Sequence, residues 1–215
     1  MRLFYNILFL IFFVLSSPYY FWRLWRRGNW QRGLSQRFGY YPPFFLSGER
    51  KRLIWFHAVS VGEVNLCVQL IQQFARERSH FQIVASTTTT TGMAELTKKL
   101  PEEIIKIYYP IDWNRAVKKA LDTFQPEAIV LIEAEIWPNF LWEAQRRHIP
   151  LFLFNARLSM RSFGRYRKAS FIFRDIFSGF TAIGVQDEMD RGRLIALGAS
   201  PQSITLTGNL KFDGA

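Results

Sequence analysis

The chain has 215 residues, of which 49% are hydrophobic, and its formal net charge is +11. The hydrophobic content excludes a disordered protein, and the single cysteine excludes an internal disulfide bond. The positive charge indicates a negatively charged partner, and nucleic acid, anionic lipid and a phosphorylated substrate all meet that requirement. No cysteine or histidine pair has the spacing of metal ligands, so we expect no metal site.

The first 22 residues predict a membrane anchor helix. Residues 3–22 are almost wholly apolar, and about 20 helical residues span about 30 Å, the thickness of a bilayer core. We expect Pro18 to kink or end this helix. Two membrane arrangements stay open, a helix that spans the bilayer and a helix that lies in one leaflet. The alternative to both is an apolar helix docked on its own domain.

Residues 23–50 form a predicted juxtamembrane segment that is rich in basic and aromatic side chains. The aromatic residues 19–22 suit a membrane interface, and five arginines follow them by residue 37, whereas only Arg2 precedes the apolar segment. The positive-inside bias therefore predicts that the body of the protein lies in the cytoplasm.

Short apolar runs alternate with helical stretches from residue 51 to residue 208. The predicted strands are 53–56, 81–85, 104–108, 128–132, 151–154, 181–185 and 203–206, and the predicted helices are 63–78, 92–100, 112–124, 138–147, 160–177 and 187–197. Alternation of this kind predicts an α/β fold with a Rossmann-like, mainly parallel sheet flanked by helices.

The motif His57-Ala-Val-Ser-Val-Gly-Glu63 places a carboxylate where the first strand gives way to a helix. Ligands of open α/β sheets bind at the carboxyl ends of the strands, so Glu63 is a candidate general base. Ser60 followed by Glu63 also fits a capping box, in which the acid only stabilises the start of the helix. Spacing alone leaves these two interpretations balanced.

The run Ser86-Thr-Thr-Thr-Thr-Thr-Gly92 follows the second strand. Its hydroxyl groups predict either a cradle for an anion or sugar or a hydroxyl-rich helix cap. The sequence contains neither the glycine-rich dinucleotide fingerprint nor the P-loop pattern, so it indicates no nucleotide cofactor.

Two acids follow the fourth strand, in the motif Glu133-Ala-Glu135-Ile-Trp-Pro-Asn139. If the strand pleat continues, Glu133 and Glu135 point to the same face. One of them can cap the helix that begins near Pro138, and a second acid in a sheet crevice then needs another role. We expect a site role for Glu133 and rank Glu135 behind it.

The motif Asn155-Ala-Arg157-Leu-Ser159 follows the fifth strand and opens a basic helix. Arg157, Arg161, Arg165 and Lys168 share one face if the helix begins this early. Such a face either meets lipid phosphates or is simply solvated.

These four motifs, followed by Thr207-Gly-Asn-Leu-Lys-Phe-Asp213, resemble in order the amino-terminal half of the 3-deoxy-D-manno-octulosonic acid (Kdo) transferases of lipopolysaccharide assembly. The resemblance covers nearly the whole chain. It implies the N-terminal half of a GT-B glycosyltransferase, in which a first Rossmann-like domain binds the acceptor and a second binds CMP-Kdo. The implied reaction moves Kdo to a hydroxyl of the lipid A precursor, with inversion and without a metal ion or cofactor.

The resemblance also implies roles for individual residues. Glu63 resembles the general base, and Glu133 and Lys211 resemble residues that stabilise the transition state. The candidates for binding the acceptor are Ser60, Gly62, Thr89, Thr91, Arg157 and Arg161. The implied location is the bacterial inner membrane, with an N-terminal anchor and the domain facing the cytoplasm. The apolar leader and the lack of a nucleic-acid-binding motif in the sequence argue against a nucleic acid partner.

Residues 209–215 resemble the start of an interdomain linker, and the donor domain is absent from the chain. We therefore expect the chain by itself to bind membrane and acceptor but to transfer nothing. The alternative function is a noncatalytic, membrane-anchored module that binds the acceptor lipid and is indifferent to Glu63→Ala.

Overall fold

The structure is a computed structural model that describes residues 1–26, 31–42, 52–133 and 135–209. Lys211 and all but the first residue of the predicted linker lie outside the described residues. Within the juxtamembrane segment, residues 27–30 and 43–50 lie outside them as well.

Seven strands alternate with helices along the described part of the chain. The strands are β1 (Arg52–His57), β2 (Phe81–Thr87), β3 (Ile105–Tyr108), β4 (Ala128–Ile132), β5 (Leu151–Ala156), β6 (Ala182–Val185) and β7 (Ile204–Leu206). The helices are α1 (Arg2–Arg26), α2 (Leu34–Arg37), α3 (Val61–Glu77), α4 (Thr90–Lys99), α5 (Asn114–Phe124), α6 (Pro138–Arg146), α7 (Met160–Lys168), α8 (Ser170–Ser178) and α9 (Glu188–Ala196).

The strands form one sheet in the order β3-β2-β1-β4-β5-β6-β7. Every neighbouring pair is parallel, so the carboxyl ends of all seven strands lie at one edge. The predicted Rossmann-like α/β fold is confirmed. Each predicted strand is present with bounds that agree within two residues.

Both faces of the sheet are buried, which explains why its strands read as continuous apolar runs. In β1, Leu53 and Trp55 face a core shared with α5 and α6, whereas Ile54 and Phe56 face a core shared with α3. Successive side chains of a strand point to opposite faces, so a strand covered on both sides needs apolar residues at every position.

The leader helix α1 runs through Pro18 to Arg26, so of the two predicted effects of this proline, a kink or the end of the helix, the second is wrong. Proline lacks the N–H that would bond the carbonyl four residues earlier, which here belongs to Val14. The Ser17 hydroxyl donates to that carbonyl at 3.0 Å, so the carbonyl keeps a partner and the helix continues. The segment Arg2–Tyr19, with a mean hydropathy of 1.4, is long and apolar enough to cross a membrane.

The prediction of a single helix for residues 160–177 is wrong. Two helices, α7 and α8, meet at Ala169, whose φ of −106° and ψ of 33° interrupt the helical backbone. Helix α8 buries Ile172, Ile176 and Phe177, whereas α7 has no fully buried residue. The break therefore lets α8 follow the core while α7 stays at the surface.

Helix α6 is capped by a residue that lies far from it in sequence. The N-cap residue Trp137 makes no side-chain cap bond. The carboxylate of Asp112 instead accepts hydrogen bonds from the backbone N–H of Asn139 at 3.0 Å and of Phe140 at 2.9 Å. The suggestion that Glu133 or Glu135 caps this helix is thus wrong, because Asp112 already occupies the two N–H groups.

Replacing Asp112 with alanine should destabilise the fold by about 3 kcal/mol, because it leaves buried donors at the start of α6 without their acceptor. Urea denaturation followed by circular dichroism measures this change. The matched control is Asp122→Ala, which removes an exposed ion pair with Arg147 and should change stability by less than about 1 kcal/mol. Equal effects of the two substitutions would contradict the capping role.

Candidate functional site

The motifs singled out in the sequence meet at the carboxyl edge of the sheet. Strands β2, β1, β4 and β5 are consecutive neighbours in the sheet. Because all of them are parallel, the loops that follow them open at the same edge, where ligands of open α/β sheets bind. The tertiary structure therefore assembles one candidate site from four stretches of chain.

Glu63 lies in the first turn of α3 and is only 8% exposed. The Ser60 hydroxyl accepts a hydrogen bond from the Glu63 N–H at 3.2 Å, so the serine half of the predicted capping box is present. The same hydroxyl donates to one carboxylate oxygen at 2.8 Å, and the Val59 N–H donates to the other at 3.0 Å. Both oxygens of Glu63 are thus held in a fixed orientation at the edge of the sheet.

The threonine run is bonded to the loop that carries Glu63. The hydroxyls of Thr87 and Thr89 donate to the Val59 carbonyl at 3.3 and 3.1 Å. Thr89 also caps α4 by accepting from the Gly92 N–H at 3.0 Å. A side chain at residue 92 would place its Cβ only 2.5 Å from the Thr87 hydroxyl oxygen, so glycine is required for this close approach. The loops after β1 and β2 therefore form one interlocked unit.

Glu133 follows β4 directly and has a left-handed backbone conformation, with φ at 59°. Its N–H still donates to the Phe154 carbonyl at 2.8 Å. The strand pleat ends at Ile132, so the condition under which Glu133 and Glu135 would share a face is not met. Non-glycine residues in this region are strained, and such strain is often found at functional sites.

Glu135 is a partly buried acid whose pKa is raised towards neutral pH. Burial first, and then the negative charges of Glu63 and Glu133, raise its pKa to about 7, although a hydrogen bond from the Trp137 indole N–H at 2.9 Å opposes the rise. Three carboxylates thus interact electrostatically at this edge. The sequence ranked Glu135 behind Glu133, and the motif carries no signal for the burial that raises the pKa of Glu135.

The negative charge of Glu135 acts on two aromatic side chains, Tyr166 and Tyr109. Burial first, and then the charge of Glu135, raises the pKa of the Tyr166 hydroxyl on α7. Tyr109, which follows β3, stacks on the His57 ring with centroids 3.8 Å apart. Burial lowers the pKa of His57 to about 3, so this histidine is neutral and belongs to the core beneath the site.

The structure separates the residues of the predicted basic face. Arg157 lies in the loop before α7, because the helix begins only at Met160, so the condition under which it would share a helix face with Arg161, Arg165 and Lys168 is not met. Both side chains are exposed. The loop is fixed by Asp190 on α9, whose carboxylate accepts from the Leu158 N–H at 2.9 Å.

The other predicted acceptor-binding residues lie on the rim of the same edge. Ser60, Gly62 and Thr91 are exposed, and Thr89 is half-buried. Their role in binding stays a prediction, as does that of Lys211, which lies outside the described residues.

A sequence model of the family described as 3-Deoxy-D-manno-octulosonic-acid transferase (kdotransferase) matches residues 32–214. The chain belongs to the Kdo transferase family. It is 30% identical over 190 residues to the 3-deoxy-D-manno-octulosonic acid transferase of Haemophilus influenzae, covering 86% of this chain and 43% of that protein. It is 35% identical over 160 residues to the Rickettsia typhi enzyme of the same name, covering 74% and 34%. The chain spans less than half the length of these relatives.

Solved structures of other proteins share the fold. The UDP-GlcNAc 2-epimerase from Neisseria meningitidis superposes with a TM-score of 0.55 at 12% identity, covering 75% of this chain and 48% of that chain. The UDP-N-acetylglucosamine 2-epimerase from Rickettsia bellii gives 0.52 at 15% identity, covering 74% and 45%. At this identity the likeness concerns the fold alone, and it supports the GT-B-like architecture of the Kdo transferase domain.

The raised pKa of Glu135 predicts a titration near neutral pH. The fluorescence of Trp137 should change with a midpoint near pH 7, since its indole N–H bonds the Glu135 carboxylate. Subtracting the spectrum of Trp137→Phe isolates this signal, and Glu135→Gln should abolish the transition. An unchanged midpoint in Glu135→Gln would contradict the assignment.

The same titration should appear in stability. The unfolded-state pKa of a glutamate is about 4.3, so the native state holds the Glu135 proton more tightly. Stability from this proton is present below about pH 4.3 and is lost as the pH rises through about 7. In Glu135→Gln the free energy of unfolding should fall less over this range.

Proposed function

We propose that this protein transfers Kdo from CMP-Kdo to a hydroxyl of the lipid A precursor lipid IVA in lipopolysaccharide biosynthesis. This chain supplies the acceptor side of the site and the general base. Membership of the Kdo transferase family supports the proposal. The observation that carries it is the Glu63 carboxylate, which two hydrogen-bond donors orient at the carboxyl edge of the sheet.

In the proposed reaction the acceptor hydroxyl attacks the anomeric carbon of Kdo and gives its proton to Glu63. The bond between that carbon and the CMP phosphate oxygen breaks, and the electron pair leaves with CMP. A single displacement inverts the anomeric centre, and no metal ion or cofactor takes part. A base that is already oriented needs no reorganisation in the transition state, which favours proton transfer.

Charge development in this reaction matches the acids of the site. The Kdo ring acquires positive, oxocarbenium-like charge, which the carboxylate of Glu133 would stabilise. Lys211 is proposed to stabilise the negative charge of the departing phosphate. Glu135, with its pKa near 7, is about half protonated at neutral pH, so it limits the negative charge that surrounds Glu63.

The proposed location is the bacterial inner membrane, with α1 as the N-terminal anchor and the domain facing the cytoplasm. The apolar composition of Arg2–Tyr19 and the net charge of +11 support contact with an anionic membrane surface. The relatives are more than twice as long as the matched segments. Their length supports a second domain that binds CMP-Kdo and acts together with this one.

Glu63→Gln should lower the transfer rate at least about 100-fold, because the amide cannot take a proton. The amide oxygen can still accept from the Val59 N–H, so the fold should persist. The assay supplies CMP-Kdo and lipid IVA to this chain alone, where we expect no transfer, and to this chain joined to the carboxyl-terminal half of the Haemophilus influenzae relative.

The matched control is Glu77→Gln at the exposed end of the same helix, which should leave the rate unchanged. Binding of lipid IVA to vesicle-free protein should survive both substitutions. Full transfer by Glu63→Gln would refute the general-base role and favour a noncatalytic module that only binds the acceptor lipid.

Arg157→Ala and Arg161→Ala should each weaken binding of the bisphosphorylated acceptor about 5-fold or more, with the larger effect at low salt, because each removes a charge beside the site. Isothermal titration with lipid IVA measures the affinity. The control Lys98→Ala removes the same charge near the end of α4, at the opposite edge of the sheet. Equal effects at all three positions would show that only net charge matters.

A further inference from the structure

The first turn of the leader helix is bonded to the domain. The Tyr5 hydroxyl donates to Asp112 at 2.7 Å, and the Asn139 amide donates to the Asn6 side-chain oxygen at 2.9 Å. The Arg2 guanidinium donates to the Trp142 carbonyl at 3.1 Å. These contacts join α1 to the start of α6 and to the residue that caps it, so the amino-terminal end of α1 lies on the domain.

The segment that follows the leader is bonded to the same domain. The Arg37 guanidinium donates to the Thr88 carbonyl at 2.6 Å, and the Tyr108 N–H donates to the Gln36 side chain at 2.7 Å. Gly33 contacts the Tyr108 ring so closely that a Cβ would lie 1.8 Å from a ring carbon. The chain has therefore returned to the carboxyl edge of the sheet by residue 33.

These two attachments limit how deep α1 can reach. Gly33 follows Arg26 by seven residues, and a fully extended chain of seven residues covers at most about 25 Å. A bilayer core is about 30 Å thick. If α1 crossed the bilayer, this stretch would have to recross the hydrocarbon as extended chain with unbonded backbone groups, and it contains Arg27 and Arg32. A helix that spans the bilayer is therefore incompatible with the two attachments taken together.

The described side chains of α1 form two faces that differ in solvent exposure. The less exposed residues are Tyr5, Asn6, Phe9, Phe13, Ser16 and Ser17, which fall on one stripe of the helix. This stripe holds the polar side chains of the apolar segment. The other side chains of residues 3–15 are apolar and exposed, with Leu3 74% and Leu15 76% exposed. An open apolar surface of this length indicates a partner that is itself apolar.

The neighbouring helices extend this surface and add positive charge. Phe4 of α1 contacts Phe171 of α8 with ring centroids 6.2 Å apart, and Phe171 is itself 49% exposed. Helix α7 precedes α8 in the chain, and its first residue, Met160, is 66% exposed. The basic residues of α7 are Arg161, Arg165, Arg167 and Lys168. Apolar side chains together with arginine and lysine fit an anionic lipid surface. The acyl chains of the lipid surround the apolar side chains, and the lipid phosphates pair with the arginine and lysine side chains.

We propose that α1 lies in the plane of one leaflet of an anionic bilayer, with both of its ends on the side of the domain. The stripe that begins at Tyr5 faces the protein, and the open apolar surface faces the acyl chains. This arrangement rests on the membrane attachment proposed above but not on the transfer reaction. Because Asp112 joins Tyr5 to the start of α6, the embedded helix also holds the carboxyl edge of the sheet beside the lipid.

The test determines on which side of a membrane the amino terminus lies. Cys67 is replaced by alanine, and one new cysteine is placed either in a Gly-Ser extension before Met1 or at the exposed position Asp122. Each protein is bound from outside to sealed vesicles of phosphatidylethanolamine and phosphatidylglycerol. A membrane-impermeant maleimide is then added before or after detergent.

We expect both cysteines to react fully before detergent is added. An amino-terminal cysteine that reacts only after detergent, while the Asp122→Cys protein reacts at once, would establish a spanning helix and overturn the proposal. Failure of the chain to bind these vesicles would overturn it as well. If both cysteines react before detergent is added but the protein does not bind lipid IVA, the proposed function is refuted and the in-plane arrangement of α1 is supported.

A depth measurement gives an independent readout. A nitroxide attached through Phe12→Cys, near the middle of α1, should lie about 5–10 Å below the phosphates, whereas the middle of a spanning helix lies about 15 Å deep. Relaxation by oxygen and by a polar nickel complex measures this depth. The control Tyr5→Phe, which keeps the ring but loses the bond to Asp112, should broaden the depth distribution. A nitroxide at the bilayer centre contradicts the proposal.

Discussion

The buried carboxylate of Asp112 connects the leader helix, the sheet and the candidate site. It is 1% exposed, and burial raises its pKa to about 6, so its charge needs donors. Tyr5 and two N–H groups at the start of α6 supply them. The positive end of the α6 dipole adds to this stabilisation. One side chain thereby fixes three segments that are distant in sequence, and the turn that carries Glu133 and Glu135 leads directly into the helix it caps.

A second connection lies at Val59, whose backbone serves two motifs at once. Its N–H orients the Glu63 carboxylate, and its carbonyl accepts from Thr87 and Thr89. The hydroxyls of the threonine run are therefore occupied largely by the protein itself. The loop after β2 supports the acid after β1, so the rigidity of the proposed base depends on residues that need not touch a substrate.

Charge is distributed unevenly over the molecule. The chain as a whole is strongly basic, whereas the carboxyl edge of the sheet gathers Glu63, Glu133 and Glu135, whose mutual repulsion helps raise the pKa of Glu135. Helix α7 carries four basic residues and leads at Ala169 into α8, whose Phe171 contacts Phe4 of α1. A positive, apolar face together with an acidic edge fits the proposed reaction, in which the acceptor comes from a lipid surface and loses a proton to Glu63.

The sequence by itself determined the sheet, the order of its motifs and the family, because buried parallel strands and helix caps leave local patterns that can be read residue by residue. It also located Glu63 with both of its interpretations; the contacts with Ser60 at the start of the helix are present, and the role as base stays a prediction. The break at Ala169 was missed because the periodicity of residues 160–177 continues across it.

Only the tertiary structure decided which residues meet. The capping of α6 by Asp112 and the bonds that hold the first turn of the leader and the segment after it join positions far apart in the chain. The burial that raises the pKa of Glu135 likewise arises only in the folded domain. The hydropathy of the leader is the same whether it spans a bilayer or lies in one leaflet. Its attachments through Tyr5 and Arg37 separate the two arrangements, because covalent geometry limits how far the chain can travel between them.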